Sequence, residues 1–164
     1  MAEIQLNKLA AVVQEYASEF QRITKQKLID GDKVASGALL ASIKTRVELN
    51  GNVYTVWLDS KDYLKYVDKG TKPHFPPSEP ILKWVREKKS IQTREKTGNK
   101  NMPTEKQVTY LVQRKIGREG TKETKIVATT VEELNAQYIT KMENALLEDV
   151  TDNLSIIHIQ LNFK

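Results

Sequence analysis

The spacing of apolar residues divides the chain into stretches of two different periods. From residue 4 to 28, Leu6, Leu9, Val13, Tyr16, Phe20, Ile23 and Leu28 recur mostly three or four apart. That spacing puts most of them on one face of a helix, opposite Lys, Glu, Gln and Arg. Asp30-Gly31-Asp32 ends it, with glycine suited to the C-terminal position. Residues 34–42, VASGALLAS, predict one or two helical turns capped by Ser36. The period then changes to two, as Ile43, Thr45, Val47 and Leu49 alternate with Lys44, Arg46 and Glu48. Asn50-Gly51 is a hairpin turn signal, and NVYTVWLD after it is rich in β-branched and aromatic residues. An antiparallel hairpin of 43–49 and 53–59 is predicted, with Trp57 on its inner face.

A short helix is expected over 61–68, stopped by Gly70, and another over 78–88 that buries Ile81, Leu82, Trp84 and Val85. Pro80 is tolerated in that helix's first turn because the N–H there is unpaired anyway. Residues 86–106 have few apolar side chains, and 89–102 is predicted to be a mobile basic loop. Pro103-Thr104-Glu105 marks a helix start, with the break at Gly117–Lys122. A longer helix over about 130–150 is expected, with Thr130 and Glu133 as its capping box. At the end, Ile157, Ile159, Leu161 and Phe163 alternate with His158, Gln160 and Asn162, predicting a terminal strand over 156–163. The order is that of an α+β fold, a small sheet packed by helices.

The length of 164 residues predicts one domain spanning 1–164. The absence of cysteine removes disulfides, thiolate zinc sites and thiol nucleophiles. A formal net charge of +5 points weakly to an acidic partner. No apolar run approaches the roughly 18 residues of a membrane helix, and Met-Ala-Glu-Ile is no signal peptide. No membrane association is therefore expected.

Catalytic chemistry needs convergent groups. His74 and His158 are the only histidines, and Asp59, Asp62 and Asp68 read best as solvated acids. There is no phosphate loop, nucleophile elbow or HExxH, so neither enzyme activity, a metal nor a cofactor is expected. An enzyme using His74 with Asp68 is the weakest reading. Lys83, Arg86, Lys88, Lys89, Arg94, Lys96, Lys100 and Lys106 form a candidate phosphate-facing patch. Glu87, Glu95 and Glu105 interleave with them and the loop itself lacks aromatic stacking partners, so a solvated loop is preferred.

Four of the five prolines, Pro73, Pro76, Pro77 and Pro80, fall in YLKYVDKGTKPHFPPSEP at 63–80. Gly70 permits a turn that a β-carbon opposes, and each proline fixes φ. The stretch predicts a stiff loop with His74 and Phe75 at its tip, backed by Tyr66 and Trp84.

Four segments occur in a telling order: VASGALLASI at 34–43, the Asn-Gly hairpin, YLKYVDKGTKPHFPPSEPILKWV at 63–85, and VQRKIGREGTK at 112–122. Their succession resembles the small neck, head–tail connector and tail-completion proteins of tailed bacteriophages. Gly37, Leu39, Ser42 and Ile43 match the family's small-residue turn, with Ala38 where a basic residue is more usual. Tyr63, Tyr66, Val67, Gly70, Thr71, Lys72, Pro73, His74, Pro76, Pro77 and Trp84 match its aromatic–Gly-Thr-Lys-Pro-His stretch, with Asp68 where Glu is commoner.

The resemblance implies a non-enzymatic virion protein, present in the host cytoplasm during assembly. It implies a homo-oligomeric ring, twelve copies or alternatively six, contacting portal, adaptor, neck or tail proteins around passing genomic DNA. The subunit interface is expected at Tyr66, Gly70, Pro73, His74, Phe75, Pro76 and Pro77, and at Ile157, Ile159 and Leu161 of the terminal strand. Lys83, Arg86, Lys88, Lys89, Arg94, Lys96 and Lys100 would line the DNA channel without sequence specificity. The alternative is an α+β nucleic-acid-binding domain using the 83–106 patch.

Overall fold

The computed structural model describes residues 6–161, with side chains described through Leu154. In order, the elements are α1 (Asn7–Asp30), α2 (Ala38–Ser42), β1 (Lys44–Asn50), β2 (Val53–Asp59), α3 (Tyr63–Lys69), α4 (Ser78–Glu87), α5 (Arg94–Thr97), α6 (Glu105–Glu119) and α7 (Ile126–Leu161). The fold is α+β. Contacts group the chain into two compact units, one of residues 1–24, 44–59 and 127–164, the other of 25–43 and 60–126.

The first unit is held by the apolar stripes of α1 and α7 and one face of the hairpin. Tyr16, Phe20, Leu134 and Tyr138 form its buried cluster, with Val56, Leu58, Val131 and Met142 packed against them. Tyr16 and Tyr138 meet edge to face, with centroids 5.5 Å apart. Each phenol finds a partner: Tyr16 Oη donates to Asn135 Oδ1 (3.0 Å) and Tyr138 Oη to Glu15 Oε1 (2.8 Å). Burial, reinforced by Glu15, pushes the Tyr138 phenol up to about 12.

The hairpin turns through Gly51-Asn52, with Gly51 at φ 61 in the first central position, as type II′ turns require. Its register pairs Val47 with Val56 and Thr45 with Leu58 on one face, and Arg46 with Trp57 on the other. Trp57 thus lies on the outer face, 45% exposed, contrary to the expectation of burial. Arg46 sits over its ring at 5.0 Å and Glu48 accepts from its indole N–H at 2.8 Å. Strand alternation put Val56 and Leu58 inward and left the indole between them no inward position. The hairpin is tied to α1 by Thr45, whose N–H donates to Gln21 Oε1 and whose hydroxyl donates to the Ala17 carbonyl.

No acid stands in the first turn of α1. The buried carboxylate of Asp149, from α7, supplies one, accepting from the Lys8 N–H at 3.1 Å and the Leu9 N–H at 2.8 Å. These are orphan donors at the positive end of the helix dipole, so a remote residue acts as the cap. Lys8 in turn bridges Glu148 and Asp152, both at 3.0 Å.

In the second unit, Leu28, Leu39, Ile43, Leu64, Val85 and Ile126 are buried. The C-terminus of α1 closes with Asp32, not glycine, in the left-handed conformation at φ 50. The Lys33 N–H reaches the Leu28 carbonyl and the Asp32 N–H the Ile29 carbonyl, the paired bonds of a Schellman motif. Aspartate is among the residues that tolerate this region.

Three boundaries differ from the sequence-based expectation. The strand expected over 156–163 is helix as far as Leu161, the last turns of α7; residues 162 and 163 lie outside the described residues. Extending a helix that is already nucleated adds one hydrogen bond per residue, whereas a lone strand needs a sheet edge. The contacts expected of Ile157, Ile159 and Leu161 also lie outside the described side chains. α7 starts at Ile126, so Thr130 is a buried residue within the helix and no capping residue. α6 continues through Gly117 to Glu119, and its Thr104–Gln107 pair forms a true capping box.

Replacing Asp149 by alanine should lower stability by about 1–2 kcal/mol, the usual cost of a lost cap. Asp149→Asn should retain part of that stability, as read from urea unfolding midpoints; equal midpoints for wild type and Asp149→Ala would refute the capping role. The Tyr138 phenol is raised in the folded state, so its contribution is whole below the ordinary tyrosine value near pH 10. It should be lost as pH rises from there to about 12. Melting temperatures across that window should fall more steeply for wild type than for Tyr138→Phe.

Candidate functional site

The proline-rich stretch folds into a hook fastened along α6. After α3, Gly70 turns the chain at φ 67, ψ −172, and Thr71 pairs with Thr121 in an isolated antiparallel bridge. The Thr71 N–H donates to the Thr121 carbonyl at 3.0 Å and the Thr121 N–H to that of Thr71 at 3.1 Å. The two hydroxyls meet at 3.0 Å. A second glycine of the same kind, Gly120, precedes Thr121 as Gly70 precedes Thr71, at φ 70, ψ −160. A β-carbon on Gly70 would run into the Thr121 carbonyl and come within 2.8 Å of the Glu123 N; one on Gly120 would strike the Thr71 carbonyl and approach Lys72 C to 2.9 Å. The crossing is closed to side chains on both strands.

Beyond the crossing, the His74 N–H donates to the Ile116 carbonyl at 3.3 Å. His74 Nδ1 lies 2.9 Å from the Lys72 carbonyl, which can only accept, so the proton is on Nδ1. Phe75 lies over Gly117, where an added β-carbon would come within 3.3 Å of its ring. The buried Gln113 side chain donates to the Pro76 carbonyl at 2.8 Å and to Ser78 Oγ at 3.0 Å, fixing the start of α4. On the other side of the bridge, the Thr124 and Lys125 N–H groups both reach the Asp68 carbonyl.

Gly70 and Pro76, expected at a subunit interface, are therefore occupied within the chain. Tyr66 (54% exposed), Phe75 (61%), Pro73, His74 and Pro77 remain at the surface. Trp84 is half-buried.

The basic stretch does not form the patch its sequence suggests. Lys88 is 3% exposed, and its ammonium donates to Asp32 Oδ1 (2.7 Å), the Asp32 carbonyl and the Val34 carbonyl (3.0 Å). Chiefly through this bond, the Asp32 carboxyl is held below its ordinary value. Lys96 turns its ammonium onto the carbonyls of Val85 (2.6 Å), Lys88 (2.7 Å) and Ile91 (2.9 Å). Those include carbonyls left open at the end of α4, where a cation is favoured. Arg86 pairs with Glu105 at 2.7 Å. The segment expected to be a mobile loop holds α5, a fully buried Thr93 and a backbone bond from Arg94 N–H to the Pro103 carbonyl. Lys83, Lys89, Arg94, Lys100 and Lys106 are the exposed remainder.

Cations without ionic partners lie elsewhere. Lys72, Arg114, Lys115, Arg118 and Lys122 are exposed, and among the described residues no acid is within ion-pair distance of them. Counted over the sequence, the second unit carries 20 basic and 10 acidic residues, net +10, and the first 6 and 11, net −5. The helical spacing of Tyr110, Arg114 and Arg118 was visible in the sequence, but the hook's position beside them was not.

Among the described residues there is no cluster of three metal-capable side chains, and no helix is long and apolar enough to cross a membrane. No protein-family model, curated protein or solved structure matches the chain.

Alanine at Gly70 or Gly120 should destabilise by at least about 2 kcal/mol, since it adds backbone overlap to a conformation that already costs about 1–3 kcal/mol for other residues. Lys88→Met should cost about 1–3 kcal/mol by stranding its acceptors, while Lys83→Met should be within about 0.5 kcal/mol of wild type. Chemical denaturation of the four variants checks both statements; a Lys88→Met midpoint equal to that of Lys83→Met would refute the structural role of Lys88.

Proposed function

We propose that the chain is a structural subunit of a tailed-phage virion, a ring component at the head–tail junction that joins the portal side to the tail around the DNA channel. The observation that carries this reading is the surface of α7. Ile139, Leu146, Leu147 and Leu154 are 41–64% exposed on the side of the helix away from Leu134, Tyr138 and Ala145. Their spacing of seven and eight residues groups them on one side of the helix, with the exposed Glu143 among them, and exposed apolar side chains gathered on one face mark a protein partner.

The opposite net charges of the two units support contacts between unlike surfaces. Unlike surfaces give head-to-tail association, which makes rings when it closes. The motifs shared with the neck and tail-completion family supply the particular assembly and the copy number of twelve or six. Portal, adaptor or tail proteins are the neighbours that reading implies. The competing reading, a nucleic-acid domain working through 83–106, is weakened because Lys88, Lys96 and Arg86 are engaged within the chain.

Mass photometry and negative-stain imaging, with the chain free and bound to purified heads, test the proposal. Closed rings are expected in at least the second case. The double variant Ile139→Asp/Leu147→Asp should keep its circular dichroism spectrum and lose ring formation. A wild-type chain that stays monomeric in both settings, or a double variant that assembles normally, would sink it.

A further inference from the structure

We infer that the outer face of α6 together with the hook is a binding surface for single-stranded nucleic acid, distinct from the 83–106 stretch and independent of the ring reading. Tyr110, Arg114 and Arg118 recur at four-residue spacing, so they lie along one side of α6. Gly117 sits on that side as well, and its missing side chain is where the Phe75 ring rests. The hook thus inserts an aromatic residue into a basic helix face that is 42 positions away in sequence at Gly117. Tyr110 and Phe75 are 56% and 61% exposed. From Tyr110 to Gly117 the helix rises by about 10 Å at 1.5 Å per residue, with Arg114 between them.

The Thr71–Thr121 bridge extends the same surface. It sets Lys72 opposite Gly120 and Lys122 opposite Gly70, adding two exposed cations where α6 ends.

Three features select the partner. Among the described residues, Arg114, Arg118, Lys72 and Lys122 have no acidic partner, so their charge is free to meet phosphates. The net +10 of this unit disfavours a second copy of the same face. Exposed aromatic rings interleaved with cations suit unpaired bases, which stack on them while the backbone tracks the charges. An acidic peptide would meet the charge but gain nothing comparable from the rings.

Fluorescence anisotropy with a labelled oligothymidylate of about 20 nucleotides reads this directly. Binding is expected at about 50 mM salt, weakening at least about tenfold by about 200 mM. Arg114→Glu/Arg118→Glu should weaken it by at least about tenfold, and Arg114→Lys/Arg118→Lys should largely retain it. Tyr110→Ala and Phe75→Ala should each weaken it by about threefold or more while binding of poly-glutamate, if any, stays unchanged. Lys83→Glu/Lys89→Glu should leave it within about twofold. Circular dichroism on each variant establishes folding, and the tyrosine variant stands in should Phe75→Ala not fold. No binding at low salt, indifference to the double Arg→Glu change, or equal affinity for poly-glutamate would overturn the assignment.

Discussion

Two backbones cross at Thr71 and Thr121 at a distance that no β-carbon on Gly70 or Gly120 would allow. Much of the second unit follows from that contact. Because the strands touch there, His74 reaches the end of α6, Phe75 lands on Gly117, and Pro76 comes within range of Gln113. The Pro76 carbonyl and Ser78 hydroxyl are then gripped by one buried amide, which sets where α4 begins. Three prolines reduce the freedom of the unfolded segment, so the few hydrogen bonds that seat it are enough. The hook is stiff because of its own chemistry and fixed in place by the glycine crossing.

Lysine serves two different ends in this unit. Lys88 and Lys96 direct their ammonium groups to backbone carbonyls, Lys88 at the turn that ends α1 and Lys96 at the end of α4. The three donors of the Lys96 ammonium are all committed to carbonyls, which leaves none for the acidic residues around it. Lys72 and Lys122 instead flank the hook with no ionic partner among the described residues. A count of basic residues treats all four alike. What separates them is where the fold places each ammonium: Lys88 and Lys96 against backbone carbonyls of other turns, Lys72 and Lys122 at the surface.

The first unit shows the same dependence on residues remote in the chain. α1 carries no acid in its first turn, and its orphan N–H groups are met by Asp149, about 140 residues away. A buried carboxylate tolerates that position because two N–H donors and the helix dipole face it. On the opposite side of α7, apolar residues face solvent, which is where the proposed assembly contacts arise.

Local chemistry made much of this legible. The 3.6-residue stripe of α1, the period-two hairpin with its glycine turn, the stop at Gly70 and the Thr104 helix start each depend on neighbours a few residues apart, and each stands in the structure. Trp57 departed from expectation because register, not size, decides which face a strand residue takes. The 156–161 segment alternates like a strand, yet it follows a long helix, and propagation won over alternation. The order of glycines and prolines at 63–80 and 117–120 was determined by the sequence alone, and with it a stiff turn. Only the tertiary structure decided that these two segments meet, that Gly117 makes room for Phe75, and which lysines are engaged inside the molecule. Those outcomes depend on pairs of residues from 8 to 56 positions apart and on carbonyls that exist as acceptors only once a helix has ended; no local pattern records them.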